Sequence, residues 1–312
     1  MKTKKTSKAA ENRTTLTKRI WKYRQYYLLL LPALIYVIIF NYGPLYGVQI
    51  AFKDFKGSLG ITGSRWVGFR HFKDFFRGYY FWDLIKNTLI LSVYSLLVSF
   101  PIPIIVALIL NETGDKLKRF SQTVLYAPHF ISTVVLVGII GTMFSPSIGV
   151  VNTVLEALGM ERYYFLGEPA AFRHLYVWSG VWQNMGWNAI IYIAALSGVD
   201  PNLHEAAAID GATRIQRIRH INLPAIMPTI IIMLIMSVGS IASVGYEKVF
   251  LLQNDLNVDV SEVISTYVYK RGIVSANYSF STAVGLFNNV VNVIMLMIAN
   301  AISRKFSETS LF

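Results

Sequence analysis

The chain has 312 residues, of which 54% are apolar and only 15% charged, with a mean hydropathy of +0.46. Soluble domains carry about 25% charged residues, so this composition disfavours a cytosolic enzyme or a disordered regulator and points to an integral membrane protein. The 29 Lys and Arg exceed the 17 Asp and Glu, a formal charge of +12, and Cys is absent, which removes disulfides, thiolate metal sites, thiol catalysis and Cys-linked lipid anchors.

Residues 1–25 hold nine Lys or Arg and one acid, Glu11, and read as a basic arm. An uncharged run from Tyr26 to Ile50 follows. It exceeds a signal-peptide core in length and no A-x-A-like cleavage site follows it closely, so it reads as a retained first span. Further runs free of Asp, Glu, Lys and Arg give spans at about 87–110, 124–145, 175–197, 225–246 and 280–303. Each can cross about 30 Å of hydrocarbon as a helix that satisfies its own backbone. Pro32, Pro101 and Pro103 fall inside spans and predict bends. The expected fold is all-α: one six-helix transmembrane domain over 26–305, with the arm 1–25 before it and a short tail 306–312.

Six spans place both termini on one side. Lys and Arg number 17 in the arm, 111–123, 198–224 and the segment after Ser303, against 12 on the other side. The positive-inside rule then puts both termini in the cytoplasm. Within 51–86, Phe69, Phe72 and Phe76 recur at helical spacing, with Arg70, Lys73 and Arg77 on other faces. That pattern fits a helix in the outer interface or one packed on the bundle. Val151, Val154, Leu155 and Leu158, closed by Gly159, form a second such segment. The cations flank spans instead of forming a stripe interleaved with aromatics, so nucleic acid is not an expected partner.

The segment Gly198–Pro224 lies between the fourth and fifth spans. Asp200 can cap a helix with Pro201 in its first turn, and Asp210-Gly211 marks a turn that favours glycine. A second short helix follows, with Ile215, Ile218 and Ile221 near one face and Arg214, Arg217 and His220 elsewhere, and Leu223-Pro224 is expected to stop it. Ala206, Ala207 and Ala208 are small enough for a partner to approach closely, so the segment reads as a docking surface.

Polar groups inside spans are costly and face the bundle interior or a water-filled path. Gln183, Asn184, Trp187 and Asn188 cluster in the fourth span, and Asn288, Asn289 and Asn292 share a face of the sixth. Amides and aromatic rings suit sugar hydroxyls and pyranose faces; amides equally join helix to helix. Tyr246, at the end of the fifth span, is a further path candidate, and His129 reads as a packed polar residue. No Lys or Arg lies within a span, so there is no positive sign of an anionic sugar. No ionisable group at mid-span suggests a stand-alone carrier, and no nucleophile or metal set suggests an enzyme. The five histidines have no ligand spacing, and no glycine-rich phosphate loop with its Lys is present.

The pattern E-A-A, three residues, G, nine residues, I-x-L-P is met by Glu205, Ala206, Ala207, Gly211, Ile221, Leu223 and Pro224. It resembles the signature loop of binding-protein-dependent ABC importer permeases. The stretches WVGFRHF, NTLILS, YAPHFIS and VWQNMGWNAIIYIAALSGVDP are similar to the carbohydrate branch of that family, and the resemblance covers about residues 26–305. APHFIS resembles permeases for oligosaccharides released from polysaccharides. The extra helices and large external insertion of the maltose-type large subunit are missing.

The resemblance implies a type I importer permease fold in a bacterial plasma (inner) membrane, surrounded by lipid. It implies a second, homologous permease beside this chain and a solute-binding protein outside that delivers a carbohydrate. It also implies an ATPase dimer that binds ATP and Mg, with the loop, including Asp210 and Arg214, in the ATPase cleft. The chain itself would carry no catalytic residue, cofactor or metal. Peptide or amino-acid cargo remains the alternative, because the loop does not specify cargo.

Overall fold

The computed structural model describes residues 20–306. Most of the expected basic arm and tail lies outside the described residues. Apart from one antiparallel pair of two-residue strands, Lys53–Asp54 with Arg65–Trp66, the regular structure described is helical. Among the described residues, four helices have the length and apolarity to cross a membrane: Arg24–Phe52, Phe81–Asn111, Arg214–Gly239 and Tyr278–Lys305. At 1.5 Å per residue each extends about 40 Å. A fifth long helix, Pro169–Leu196, has 28 residues, but Gln183, Asn184 and Asn188 dilute its apolar character.

That fifth helix is the axis of the molecule. Its Phe172, Val177 and Val181 pack with Leu91, Leu136, Val249 and Val263 in one core. Its Ala189, Tyr192 and Leu196 pack with Ile104, Ala107 and Ile226 in another. Large apolar side chains elsewhere on the long helices, such as Leu29, Leu97 and Met297, are exposed, as befits surfaces that meet lipid. Arg24–Val37 buries no residue at all.

Four expectations need correction. The third span, 124–145, is not one helix: Asp115–Phe130 and Thr133–Met143 meet at a bend of 98°. Pro128 sits in the short tight helix Ala127–Phe130, where it cannot continue an α-helical ladder, and the Ser132 hydroxyl caps the new helix by accepting the Val135 N–H. The fifth span ends at Gly239 rather than 246, and Tyr246 opens a separate helix, Tyr246–Leu252. Leu223-Pro224 does not stop a helix. A widened π turn at Ile218–Asn222 leads straight into Leu223–Gly239, and the wider turn accommodates a ring that would otherwise clash with the carbonyl four residues back. Lastly, Phe69 and Phe76 are exposed and Phe75 is the buried anchor of the Arg70–Phe76 helix, seated with Leu84, Ile264 and Val284. That helix is therefore packed on the bundle.

Polar ties close the two ends. At the end carrying residues 198–224, Glu112 meets Arg217 and Asn222. At the opposite end, the Asn87 amide donates to the Asp259 and Glu262 carbonyls, and Asn254 and Asn257 donate to the Leu166 carbonyl.

Candidate functional site

The segment 198–224, expected to dock a partner, is built by neighbours in sequence. The Asp200 carboxylate accepts the Asn202 N–H at 3.0 Å and starts the helix Pro201–Ile209. That helix ends in a reversed turn, with the Ala212 N–H on the Ala207 carbonyl at 2.8 Å and the Gly211 N–H on the Ala208 carbonyl at 3.1 Å. Gly211 has φ +76°, the left-handed region that such an ending uses and that side chains with a Cβ resist. Thr213 and Gln216 then cap the next helix reciprocally. Glu205, Ala206, Asp210, Arg214 and Pro224 are exposed, while Ala207, Ile221 and Leu223 are half-buried. Ile209 and Ile215 stand 87% and 76% exposed on either side of the turn, a surface that water does not favour.

The segment is fastened to the long helix Phe81–Asn111 through Glu112. One carboxylate oxygen accepts from Arg217 at 3.4 Å and the other from the Asn222 amide at 3.2 Å. Asn222 is fully buried, and its carbonyl oxygen and the Arg217 Nε are buried without partners. Sequence reasoning passed over Glu112, although it is the first charge after an uncharged stretch that begins at Asn87.

The path candidates divide into two groups. Two repair breaks in the backbone, and a third holds the side chain of His129. The Gln183 amide donates to the Ile131 carbonyl at 2.7 Å, at the bend of the third segment. Asn184 shares a 2.9 Å hydrogen bond with His129 and donates to the Gly180 carbonyl. Asn292 accepts the Ala242 N–H at 2.9 Å and donates to the Ser243 hydroxyl at 2.7 Å, beyond the end of the Arg214–Gly239 helix. A broken helix frees backbone groups that must find partners, and Gln183 and Asn292 supply them.

The others border cavities. Trp187, stacked on His129 with ring centres 4.4 Å apart, and Asn188 line a cavity of about 840 Å³. Tyr246, stacked on Tyr269, lines a second of about 720 Å³ with Asn288 and Asn289, and the Asn288 carbonyl oxygen is buried without a partner. Ser243, Val244 and Gly245 border both cavities, so the broken end of the Arg214–Gly239 helix separates them. The larger is also faced by Ser92, Ser95 and Ser99 from one helix and by Ser237 and Ser240 from another. These hydroxyls were missed in the sequence, yet both rows keep helical spacing. Neither cavity is lined by a charged residue among those described. No cluster of three or more His, Asp or Glu able to hold a metal occurs among the described residues. Hydroxyls, amides and an indole around an uncharged cavity can exchange hydrogen bonds with a polyhydroxylated solute and stack on its apolar faces.

The model of the binding-protein-dependent transport system inner membrane component family matches residues 83–308. The chain belongs to that family. This permease is 46% identical to Protein LplB of Bacillus subtilis (strain 168) over 92% of its own length and 90% of that protein's. It is 41% identical to the polygalacturonan/rhamnogalacturonan transport system permease protein YteP of the same organism, over 97% of this chain and 94% of that one. Among solved structures it resembles a subunit of a bacterial ABC transporter involved in the import of the acidic polysaccharide alginate. The TM-score is 0.85 and the identity 43%, covering 93% of this chain and 98% of that chain. A second structure, of a bacterial alginate ABC transporter in complex with an alginate pentasaccharide-bound periplasmic protein, gives TM-score 0.86 and 42% identity, with 95% and 99% covered. The permease therefore has the type I ABC importer fold, and its family comprises transporter subunits.

Proposed function

We propose that this permease is one of two channel-forming subunits of an ATP-driven importer for an oligosaccharide derived from a polysaccharide. The observation that carries this reading is the serine- and tryptophan-lined cavity on the Pro169–Leu196 helix, which ends only a short turn before the helix capped by Asp200. In the proposed assembly the chain makes six crossings of a bacterial plasma membrane, the bent pair and the Pro169–Leu196 helix among them, with both termini in the cytoplasm. A homologous permease closes the open side of the cavity, and a solute-binding protein outside delivers the sugar. ATP and Mg belong to a partner ATPase dimer, and this chain hydrolyses nothing.

The docking role falls to 205–224, with Glu205, Ala206, Ala207, Asp210 and Gly211 shaping the first helix and its turn, and Arg214, Ile221, Leu223 and Pro224 carrying the second into the membrane. Movement of that segment reaches the Phe81–Asn111 helix through Glu112. The solute meets Trp187, Asn188, Asn288, Asn289 and Tyr246. Gln183 and Asn292 act behind them by holding the backbone breaks that shape the cavities, and Asn184 by holding the His129 ring that stacks on Trp187.

A mild-detergent pull-down of tagged wild type, Glu205→Arg and Gly211→Val, with mass spectrometry of the partners, tests this reading. The expected result is a second six-span permease with every variant and an ABC ATPase with the wild type only. Recovery of the wild-type chain alone, active in uptake without ATP, would overturn it.

A further inference from the structure

The last long helix, Tyr278–Lys305, has two unlike faces. Asn288, Asn289 and Asn292 stand on one and border or brace the cavities. Phe287, Val290, Ile294 and Met297 follow at three- and four-residue steps on the other, and all but half-buried Phe287 are exposed. A second permease on the cavity side leaves that apolar stripe to lipid. At its head the Phe76 ring meets the Phe287 ring edge-on, 5.4 Å between centres, about 13 Å along the helix from Tyr278 at 1.5 Å per residue. The Arg70–Phe76 helix therefore lies beside the span and extends its lipid-facing surface.

That short helix is itself three-sided. Phe75 is seated in the bundle against Leu84, Ile264 and Val284. Phe69 and Phe76, two turns apart, share an exposed flank. Trp66 and Trp82, both exposed, extend it: Trp66 stacks on Phe52, which meets Phe69, and Trp82 meets Phe81, which meets Phe76. Arg70, Lys73 and Arg77 stand exposed on the side away from Phe75. Residues 65–82 hold four Lys or Arg and one acid, Asp74. Arg70 reaches Asp74 only at 3.9 Å, with both side chains largely in the open. Lys73 and Arg77 take part in none of the ion pairs among the described residues. A protein interface disfavours charge at its core, and a soluble partner at the tip of the bundle would not reach rings seated beside the span. The headgroup layer suits both features, since its phosphates match the cations and its boundary holds indole and phenyl rings.

We infer that residues 65–82 form a site for anionic phospholipid at the end of the bundle away from the docking segment. Trp66, Phe69, Phe76 and Trp82 lie at the acyl boundary, and Arg70, Lys73 and Arg77 hold the lipid phosphates. Headgroups bound there brace the head of the last span from behind its amide face. The two-permease reading above enters only in saying which side of that span is left to lipid.

The chain has no Cys, so Phe69→Cys carries a single fluorophore. The labelled full chain, alone and in the complex recovered by pull-down, is placed in vesicles of phosphatidylcholine. Nitroxide-bearing phosphatidylcholine or phosphatidylglycerol is then added as quencher. Both lipids should quench, phosphatidylglycerol at the lower mole fraction. Arg70→Gln and Lys73→Gln should each weaken that preference about fivefold, the scale of one basic residue beside an anionic surface, while Arg70→Lys keeps it. Persistent quenching by phosphatidylcholine reports that each variant is folded. Quenching by neither lipid would mean that water or protein covers the flank, and quenching lost on assembly would give it to the second permease. Equal quenching by the two lipids would mean that no phosphate is held. Each of these three results overturns the inference. The lone chain is enough for the readout, so recovery of the chain without partners would sink the importer reading and leave this test standing.

Discussion

The docking segment and the broken helices solve the same problem by opposite means. Both leave backbone groups without helical partners. Around Gly211 the partners come from within a few residues: Asp200 for Asn202, Ala207 for Ala212, Thr213 for Gln216. At the two breaks they come from far along the chain: Gln183 for Ile131 and Asn292 for Ala242. Local satisfaction lets the docking segment keep its shape however the bundle rearranges. Remote satisfaction ties the shape of each cavity to the relative position of two long helices. One region can transmit a movement unchanged while the other responds to it.

The link between the two regions should show the largest effect when cut. Removing the Glu112 carboxylate leaves Arg217 and Asn222 inside the fold without that acceptor, so Glu112→Ala should lower stability by about 2–3 kcal/mol, below the usual range for a broken buried pair because the Arg217 and Glu112 side chains keep 24% and 16% exposure. Thermal unfolding in detergent measures this. Restoration of transport per ATP hydrolysed by the double exchange Glu112→Arg with Arg217→Glu would show that the pair acts mechanically. Next in size is Asn292→Leu. It orphans the Ala242 N–H in a buried setting at about 1–3 kcal/mol, and it should raise hydrogen exchange at 240–245 while leaving 200–217 unchanged. Equal exchange in both regions would erase the distinction between them. The smallest effect is expected from Thr213→Ala, which removes one cap at about 1 kcal/mol and should loosen the 213–217 turn without altering the Ile131 or Ala242 breaks.

The same contrast explains what could be read from the amino-acid sequence. Asp200, Gly211 and the Thr213–Gln216 cap act on near neighbours, so spacing alone reveals the turn. The bend at Ile131 and the end of the Arg214–Gly239 helix depend on side chains about 50 positions away, and an uncharged run looks the same whether it is straight or broken. Gln183, Asn184 and Asn292 were visible as costly polar groups, but composition does not distinguish an amide that faces a path from one that repairs a backbone. Ser92, Ser95 and Ser99 were overlooked because serine is cheap inside a helix. Glu112 carried no motif, and Pro224 misled because a π turn lets a helix pass through a proline.

That cheapness of serine bears on how fast a solute can travel. The Ser237 hydroxyl rests on the Met233 carbonyl at 2.8 Å, and Ser240 leans on the Met236 and Ser237 carbonyls. Such back-bonding satisfies the hydroxyl when nothing else is near. Each can swivel to a passing partner and return, so neither the vacant nor the filled state is strongly preferred. For a solute taking the proposed path, such a wall offers a row of shallow wells rather than one deep trap.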